Sequence, residues 1–389
     1  MGFPAMYRIL SLKKISDHFK WSGGKSMDNN KLSRIKERME KKGLPQMVIS
    51  DPVAIFYLVG KWIFPGERFH ALYINVNGDD RFVMNKLFPQ IEDLGVPVTY
   101  YDDIDDGAAV LAQFTDKNAP LGIDKNLPSK FLLRLQELGA ASSYCNGSVI
   151  VDKVRQIKSP EEQQLMIESG AKLDRVMGKL IPWASKGLNE KELNAKCIEL
   201  LKEEGFQDKS FDPITAYAKG AADPHHITDE SKGKHGDCVI LDIGGLWKNY
   251  ASDMTRTVFI GEYSERQKEI YNIVLEANKR GIAAARPGNK MSDVDKAARD
   301  YITEKGYGEY FTHRTGHSIG MECHEVGDVS AANDEIIEVG QCFSVEPGIY
   351  LYDEGIGVRI EDIVLITEDG CRTLNNYPKE EMITVPDED

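Results

Sequence analysis

The spacing of apolar positions changes near residue 150, and the two parts of the chain predict different elements. Before that point, short apolar runs read as strands, and two polar stretches, 28–43 and 129–139, read as helices. The strand-like runs are MVIS (47–50), HALYINV (70–76), RFVM (81–84) and LGID (121–124). Residues 27–150 are therefore predicted to form a small α/β domain.

Beyond residue 150 the apolar positions recur at helical spacing. Ser159, Pro160 and Glu162 form a capping box with proline at the first helical position, and a second helix is predicted over 189–204. The apolar positions of the first helix are Leu165, Ile167, Leu173, Val176 and Leu180. Residues 151–389 are thus predicted to open a second domain with two helices followed by strands.

The same order of elements returns about a hundred residues later. Ser264 and Gln267 predict a cap for a helix to about residue 285, and Ser292 is predicted to start another helix to residue 305. Each half of this domain therefore has two helices, then strands, then a hairpin with two acids. Internal duplication is the economical interpretation, and the fold class is α/β (α+β) with two domains.

Composition limits the classes of partner. At 389 residues the chain exceeds the usual size of one core, and its net charge of -14 argues against a nucleic acid or an anionic membrane as the main partner. No apolar run reaches the roughly 18 residues that a membrane span needs. The six cysteines are scattered, which is typical of reduced thiols in the cytoplasm. A peptide or a small molecule is the expected partner.

Residues 1–26 lack the apolar stretch and the small-residue cleavage site of a signal peptide. They are predicted to form a loose extension, with a bound amphipathic helix as the alternative. Met27 precedes the first predicted helix and could serve as a second start.

Candidate metal ligands occur in five separate phrases of the second domain. They are Asp242 in LDIGG, Asp253 in YASDMTRT, His317 in GHSIG, Glu346 in VEPGIY and Glu361 in GVRIED. Any one of these acids alone is more often a solvated or paired residue. Together, four carboxylates and an imidazole balance two divalent cations, which could polarise a carbonyl and supply a nucleophile. Such oxygen-rich ligation favours Mn²⁺, Co²⁺ or Fe²⁺, with Zn²⁺ left open.

These phrases carry a family resemblance. The segments LDIGGLWKNYASDMTRTV, HRTGHSIGMECHE, FSVEPGIY and GVRIEDIVLIT resemble the pita-bread metallopeptidases, and among them the proline dipeptidase and aminopeptidase P branch. The segment ISDPVAIFYLVG resembles the creatinase-type N-terminal domain of that family. The resemblance implies a pita-bread catalytic domain over residues 151–389, after a smaller domain over residues 27–150.

The resemblance also implies roles for the ligands. Asp242 would chelate one cation, Asp253 and Glu361 would bridge both, and His317 with Glu346 would hold the second. Two divalent metal ions per chain, with manganese as the expected metal, are the implied cofactor.

Three residues are implied in catalysis by the same resemblance. Glu346 corresponds to the proton-shuttling carboxylate, and His225 in ADPHHITD and His324 in MECHE correspond to two substrate-side histidines. His226 has no implied role. His324 follows His317 by seven residues, so a bend after Gly320 is needed to bring both to one site.

Three further residues are candidates for orienting the ligands by hydrogen bonds. Arg359 is expected to pair with a carboxylate such as Asp242 or Asp253, and Thr255 and Tyr250 are weaker candidates whose alternative is plain packing.

In the N-terminal domain, the segment GKWIFPGERFH draws interest because such segments in the family can reach the active site of a partner subunit. Trp62, Phe64, Arg68 and His70 are the residues concerned, and a homodimer is the implied assembly. The alternative is that Trp62 and Phe64 pack under a loop.

The implied activity is hydrolysis of the bond before proline in dipeptides or short peptides, by a metal-bound hydroxide. Proline matters because its tertiary amide has no N–H, which defeats peptidases that require a donor there. The family commonly continues HE with one residue and then a proline, sometimes followed by a basic residue that can meet the carboxylate of a dipeptide. Val326, Gly327 and Asp328 supply neither the proline nor the basic residue. An aminopeptidase P acting on longer peptides, a creatinase-like enzyme or a lyase acting on a small non-peptide substrate, and a silent binding module are the alternatives.

Overall fold

The computed structural model describes residues 27–89, 93–224 and 226–387. They divide into two compact units between Arg155 and Gln156, five residues beyond the boundary expected from the sequence. The prediction for residues 1–26 lies outside the described part of the chain.

The N-terminal unit contains a six-stranded mixed sheet with strand order β4-β3-β2-β1-β5-β6. Its strands are β1 (Gln46–Ile49), β2 (Ala71–Asn75), β3 (Arg81–Asn85), β4 (Val98–Tyr101), β5 (Pro120–Ile123) and β6 (Ser143–Asn146). Its helices are α1 (Asn29–Lys41), α2 (Pro52–Val59), α3 (Gly107–Leu111), α4 (Ser129–Glu137) and α5 (Ser148–Gln156), the last of which spans the unit boundary. All four predicted strands and both predicted helices are present.

Helix α2 was not predicted, although its ends carry clear signals. The Asp51 side chain accepts hydrogen bonds from Val53 N and Ala54 N, Pro52 occupies the first helical position, and Gly60 ends the helix at φ 67°. The helix is buried on nearly every side, so its apolar run has no amphipathic period and resembles a buried strand.

The C-terminal unit repeats one order of elements: two helices, then strands. Its helices are α6 (Pro160–Leu180), α7 (Glu190–Glu203), α8 (Glu265–Ala284) and α9 (Met291–Glu304), with short 3-10 turns at Ile181–Trp183, Gly308–Tyr310 and Tyr352–Glu354. Its strands are β7 (Asp208–Lys209), β8 (Ile214–Tyr217), β9 (Cys238–Ile243), β10 (Gly245–Trp247), β11 (Tyr250–Ala251), β12 (Met254–Ile260), β13 (Gly316–Ser318), β14 (Glu325–Val329), β15 (Cys342–Val345), β16 (Gly348–Leu351), β17 (Ile356–Arg359), β18 (Asp362–Thr367), β19 (Gly370–Thr373) and β20 (Ile383–Val385).

The helix starts follow from side-chain caps. Ser159 and Glu162 form the expected capping box at α6, and Ser264 and Gln267 form another at α8. Helix α9 begins at Met291 with Lys290 in the N-cap position, so the predicted start at Ser292 was late. The hydroxyl of Ser292 instead donates to Asp334 Oδ1 at 2.8 Å.

Two larger sheets organise the strands of this unit. One has the order β20-β12-β9-β8 and the other has the order β14-β13-β15-β18-β19. Strands β16 and β17 form a separate antiparallel pair. Helices α8 and α9 supply much of the apolar core that lies against the strands, through residues such as Ile270, Val274 and Ala298. None of the helices in the described residues is long and apolar enough to cross a membrane.

Candidate metal centre

Two antiparallel strand pairs carry the four candidate carboxylates. Strands β9 and β12 pair Asp242 with Thr255, so Asp253 lies one residue before the start of β12. Strands β15 and β18 pair Val345 with Asp362, which places Glu346 and Glu361 at the adjoining ends of these strands. Each duplicated half therefore contributes two acids from one end of one strand pair.

A backbone hydrogen bond joins the two pairs at the acids, since Glu361 N donates to Thr255 O at 3.2 Å. Glu346 N donates to Thr315 O at 2.8 Å, two residues before His317. His317 lies on β13, with its Nε2 3.7 Å from Asp253 Oδ2 and 3.4 Å from Glu346 Oε1. Ligand atoms of Asp253, His317 and Glu361 all lie within 4.8 Å of one another.

The buried carboxylates share a pattern of hydrogen bonding. Asp242 Oδ2 accepts from Arg359 at 2.6 Å, Asp253 Oδ2 accepts from the Cys323 thiol at 3.0 Å, and Glu361 Oε2 accepts from the Thr255 hydroxyl at 2.8 Å. The other oxygen of each acid, although buried, has no hydrogen-bond partner among the described residues. A buried carboxylate oxygen without a partner is costly, and a cation removes that cost. The donor set therefore fits divalent metal ions.

The pKa shifts report the same crowding of negative charge. Burial, and then the charge of Asp242, raises the pKa of Asp253 well above its usual value. Burial, and then the charge of Asp253, does the same for Glu361. Burial raises the pKa of Glu346 to about 7. Burial, and then the charge of His324, lowers the pKa of His317 to about 3. The protein alone disfavours these charges, so the centre is built for added positive charge.

Arg359 connects several of these groups. Its Nη2 contacts Asp242, its Nε donates to Thr255 Oγ1 at 3.3 Å, and its Nη1 donates to Tyr350 Oη at 2.9 Å. His313 Nε2 lies 2.8 Å from the same Tyr350 oxygen. Tyr350 was not singled out from the sequence. The available signal in the sequence was its place in EPGIY, the phrase that also contains Glu346. In the structure Tyr350 lies on β16, which pairs with β17.

His324 reaches the centre because the chain bends over residues 320–324. Its ring centroid lies 4.1 Å from that of His317, in an edge-to-face arrangement, and its side chain is exposed. Cys323, between them, is buried, and burial together with the charge of Asp253 raises the pKa of its thiol well above the usual range. This cysteine was not singled out from the sequence, because nothing in MECHE alone shows that its side chain turns toward Asp253.

His225 lies outside the described residues, so its predicted role stays a prediction. The neighbouring His226 is described, and its Nε2 lies 2.6 Å from Glu190 Oε2. Glu190 is fully buried and also accepts from Tyr217 N and Asp229 N at 3.1 and 2.9 Å. His226 therefore has a structural partner at the start of α7, which sequence reasoning missed.

Tyr250 lies on β11, and its hydroxyl donates to Glu162 Oε1 at 2.8 Å. This contact ties β11 to the first turn of α6. The orienting role expected for Tyr250 stays a prediction.

The segment of interest in the N-terminal unit is partly buried. Trp62 stacks on Phe56 and Phe64 at centroid distances of 4.4 and 5.7 Å, and Arg68 donates to Asp103 at 2.8 Å. His70 is 7% exposed, and burial lowers its pKa to about 4. Within its own unit, His70 is therefore a core residue.

Within the run HEVGDVS, residues Glu325–Val329 form strand β14, which pairs with β13. Gly327 has φ +115°, where an L side chain is strained, and Val326 is 38% exposed. No basic side chain stands at this position to meet the carboxylate of a dipeptide.

Known proteins resemble the chain over most of its length. Residues 164–368 match Metallopeptidase family M24, and residues 31–157 match the Creatinase/Prolidase N-terminal domain. A Xaa-Pro dipeptidase from Pyrococcus horikoshii is 32% identical over 358 residues, covering 90% of this chain and 98% of that protein.

Solved structures agree. Dipeptidase PepE from Mycobacterium ulcerans has a TM-score of 0.86 at 32% identity, covering 92% of this chain and 98% of that chain. The X-Pro aminopeptidase from Thermotoga maritima has a TM-score of 0.76 at 28% identity, covering 90% of this chain and 100% of that chain.

The α/β fold and the matched family together define the chain as a metal-dependent hydrolase. The chain belongs to metallopeptidase family M24 and carries a creatinase/prolidase N-terminal domain. The expected pita-bread fold with a creatinase-type domain is thereby confirmed.

Proposed function

We propose that this metallopeptidase cleaves the bond before proline in Xaa-Pro dipeptides, as a proline dipeptidase. The observation that carries the proposal is the set of three buried carboxylates, Asp242, Asp253 and Glu361, each with one oxygen left without a partner in the described residues. The relatives named Xaa-Pro dipeptidase support the substrate class.

The five donors would hold two divalent cations per chain. These donors would be Asp242, Asp253, His317, Glu346 and Glu361. The cations would polarise the scissile carbonyl and lower the pKa of the attacking water. Manganese suits the four carboxylates and single imidazole, and cobalt, iron and zinc are the competing metals.

The remaining steps belong to side chains of the protein. Glu346 accepts the proton of the attacking water and passes it to the proline nitrogen as the C–N bond breaks. His324, exposed at the edge of the centre, donates a hydrogen bond to the oxygen that gains negative charge. Arg359 keeps Asp242 in place through the 2.6 Å contact. His225 is the second proposed histidine on the substrate side.

The test is a substrate panel of Ala-Pro, Leu-Pro, Ala-Ala and the tripeptide Ala-Pro-Ala, measured with Mn²⁺ and Co²⁺. We expect cleavage of both Xaa-Pro dipeptides and none of Ala-Ala. The variant Glu361→Gln should lose bound metal and activity together. Glu368→Gln, an exposed glutamate at the end of the following strand, is the matched control and should keep both.

A second candidate function is an aminopeptidase P activity on longer peptides. It is favoured by one observation: Val326 and Gly327 on β14 offer no basic group for the carboxylate of a dipeptide. Cleavage of Ala-Pro-Ala without cleavage of the dipeptides would decide for this candidate. Protein that binds no divalent cation after chelation and refilling would contradict both.

We further propose a homodimer in the cytoplasm. Trp62 and Phe64 stack on each other and are only partly buried, so they give the N-terminal unit a candidate contact surface. All six cysteines are free, which suits a reducing compartment.

A further inference from the structure

The candidate metal centre contains a thiol that the five-residue donor set does not use. Cys323 is 5% exposed, and its Sγ lies 3.0 Å from Asp253 Oδ2. The thiol therefore lies directly beside an oxygen of the proposed bridging ligand.

Cys323 belongs to a second group of donors. Ligand atoms of His317, Cys323 and His324 all lie within 4.8 Å of one another. Zinc–sulfur and zinc–nitrogen bonds of about 2.0 to 2.3 Å set donor separations of roughly 3.5 Å in a tetrahedral site. Side-chain rotations that shorten the separations to this value would close the group around one ion. His324 is the exposed member of the group.

The two donor groups differ in chemistry but share a residue. One thiolate with two imidazoles suits thiophilic cations such as Zn²⁺ and Cd²⁺, whereas Asp253, His317 and Glu361 suit Mn²⁺. His317 Nδ1 lies 3.2 Å from Ser318 O, and its Nε2 faces Asp253 and Glu346. Because a ring nitrogen binds one cation at a time, a cation bound through Nε2 in one group removes His317 from the other.

We propose that His317, Cys323 and His324 form an inhibitory site for thiophilic divalent cations. The inference rests on the proposed function only through His317 and His324, which both groups need. Binding replaces the thiol proton: the S–H bond breaks, a sulfur–metal bond forms, and the proton is released to the buffer. The bound cation takes His317 from the catalytic arrangement and His324 from the substrate.

The test titrates Cd²⁺ into the full-length Mn²⁺-loaded enzyme while ultraviolet absorption and Ala-Pro cleavage are recorded. We expect a thiolate-to-cadmium charge-transfer band that rises with one equivalent of Cd²⁺ and parallels the loss of activity. In Cys323→Val and Cys323→Ser the band should vanish. Half-inhibition, scaled to each variant's own rate, should require at least about tenfold more Cd²⁺.

Cys342→Val is the matched control, because Cys342 is equally buried but lies outside the donor groups found in the described residues. It should keep the band and the inhibition. Melting curves check that both Cys323 variants fold, and the serine variant nearly preserves side-chain shape.

Persistence of the band in both Cys323 variants, or cadmium binding to the wild type without a band, overturns the inference. The band reports on the thiol whatever the peptidase does. A band without Xaa-Pro cleavage leaves this site standing and removes the proposed function, and cleavage without a band does the reverse.

Discussion

At the residue scale, the candidate centre depends on how each carboxylate divides its two oxygens. Each of three acids accepts a hydrogen bond on one carboxylate oxygen: Asp242 from Arg359, Asp253 from Cys323, and Glu361 from Thr255. The second oxygen of each acid has no hydrogen-bond partner in the described residues. The holding groups fix the direction of the open oxygen. Removing one of them should therefore weaken metal binding more than it weakens the fold.

Thr255→Val tests this directly. The variant keeps the shape of the side chain but removes the donor to Glu361 Oε2 at 2.8 Å. We expect Mn²⁺ affinity to fall by about 10- to 100-fold, measured by calorimetric titration. Thr257→Val is the control two residues along the same strand, where the hydroxyl donates to Arg359 O at 2.9 Å. Equal losses of affinity in the two variants would contradict the orienting role.

Glu346 gives a pH dependence in the metal-free protein. Burial raises its pKa from 4.5 to about 7, so the folded chain favours the protonated form more than the unfolded chain does. This contribution to stability is fully present below pH 4.5 and is lost as the pH rises through about 7.

The measurement compares urea unfolding of chelated wild type and Glu346→Gln across this range. The glutamine does not titrate. Between about pH 5 and pH 8, the free energy of unfolding of the wild type should therefore fall by roughly 3 kcal/mol relative to that of the variant. Saturating Mn²⁺ should remove the loss. A difference in the free energy of unfolding between the two proteins that does not change with pH would count against a protonated Glu346 in the folded chain.

At the element scale, the register of two strand pairs decides the site. Asp242 pairs with Thr255 in one ladder, and Val345 pairs with Asp362 in the other. A slip of one residue would turn every side chain of a strand to the opposite face and scatter the ligands. A buried ionic group of Arg256, Asp362 and Lys379 connects β12 with β18, and we expect it to stabilise the alignment of these strands.

Arg256 is the centre of that group, and no local sequence pattern singled it out. It is 1% exposed, donates to Asp362 Oδ1 at 2.8 Å and to Glu361 O at 2.7 Å, and Lys379 completes the group on the other Asp362 oxygen. Burial acts to raise the pKa of Asp362, but Arg256 and Lys379 hold it below its usual value.

Arg256→Met should lower the free energy of unfolding by about 3 to 5 kcal/mol, because it leaves Asp362 buried with half of its compensation. Arg266→Met is the matched control, since the Arg266 ion pair with Glu354 is exposed, and it should cost less than about 1 kcal/mol. Thermal and urea unfolding provide the measurement. A similar cost for both substitutions would rule out a special role for the buried group.

Element prediction succeeded where local signals were strong. The capping boxes at Ser159 and Ser264 located two helices, and short apolar runs located four of the six strands in the sheet of the N-terminal unit. It failed for α2, because a helix buried on nearly all sides loses its amphipathic period. The start of α9 was wrong because a lysine rather than a serine occupies the cap.

At the scale of the whole molecule, the proposed homodimer is open to direct measurement. Sedimentation at working concentration should give a species of twice the chain mass, and Trp62→Ala should shift it toward monomer by removing the middle ring of the stack. Trp183→Ala, which removes an exposed tryptophan of the C-terminal unit, should leave the association unchanged. A wild-type monomer with full activity would remove the idea of a shared site.

The sequence by itself determined the donor types, their order and the family. Asp242, Asp253, His317, Glu346 and Glu361 each stand in a phrase that can be read without a structure. Local chemistry also determined most helix starts, because a cap and its first turn are neighbours in sequence.

Only the tertiary structure decided which atoms meet. The sequence left Asp242 and Asp253 as alternative partners of Arg359, and the structure selects Asp242, 117 positions away. The contact of Cys323 with Asp253, 70 positions apart, was not indicated by any local pattern. The same holds for the carboxylate oxygens left without partners, because the register of the strands determines whether a hydrogen-bond donor lies within reach of each oxygen. The sequence names the candidate ligands of the centre, and the fold determines which of their oxygens have no hydrogen-bond partner and that a thiol lies beside them.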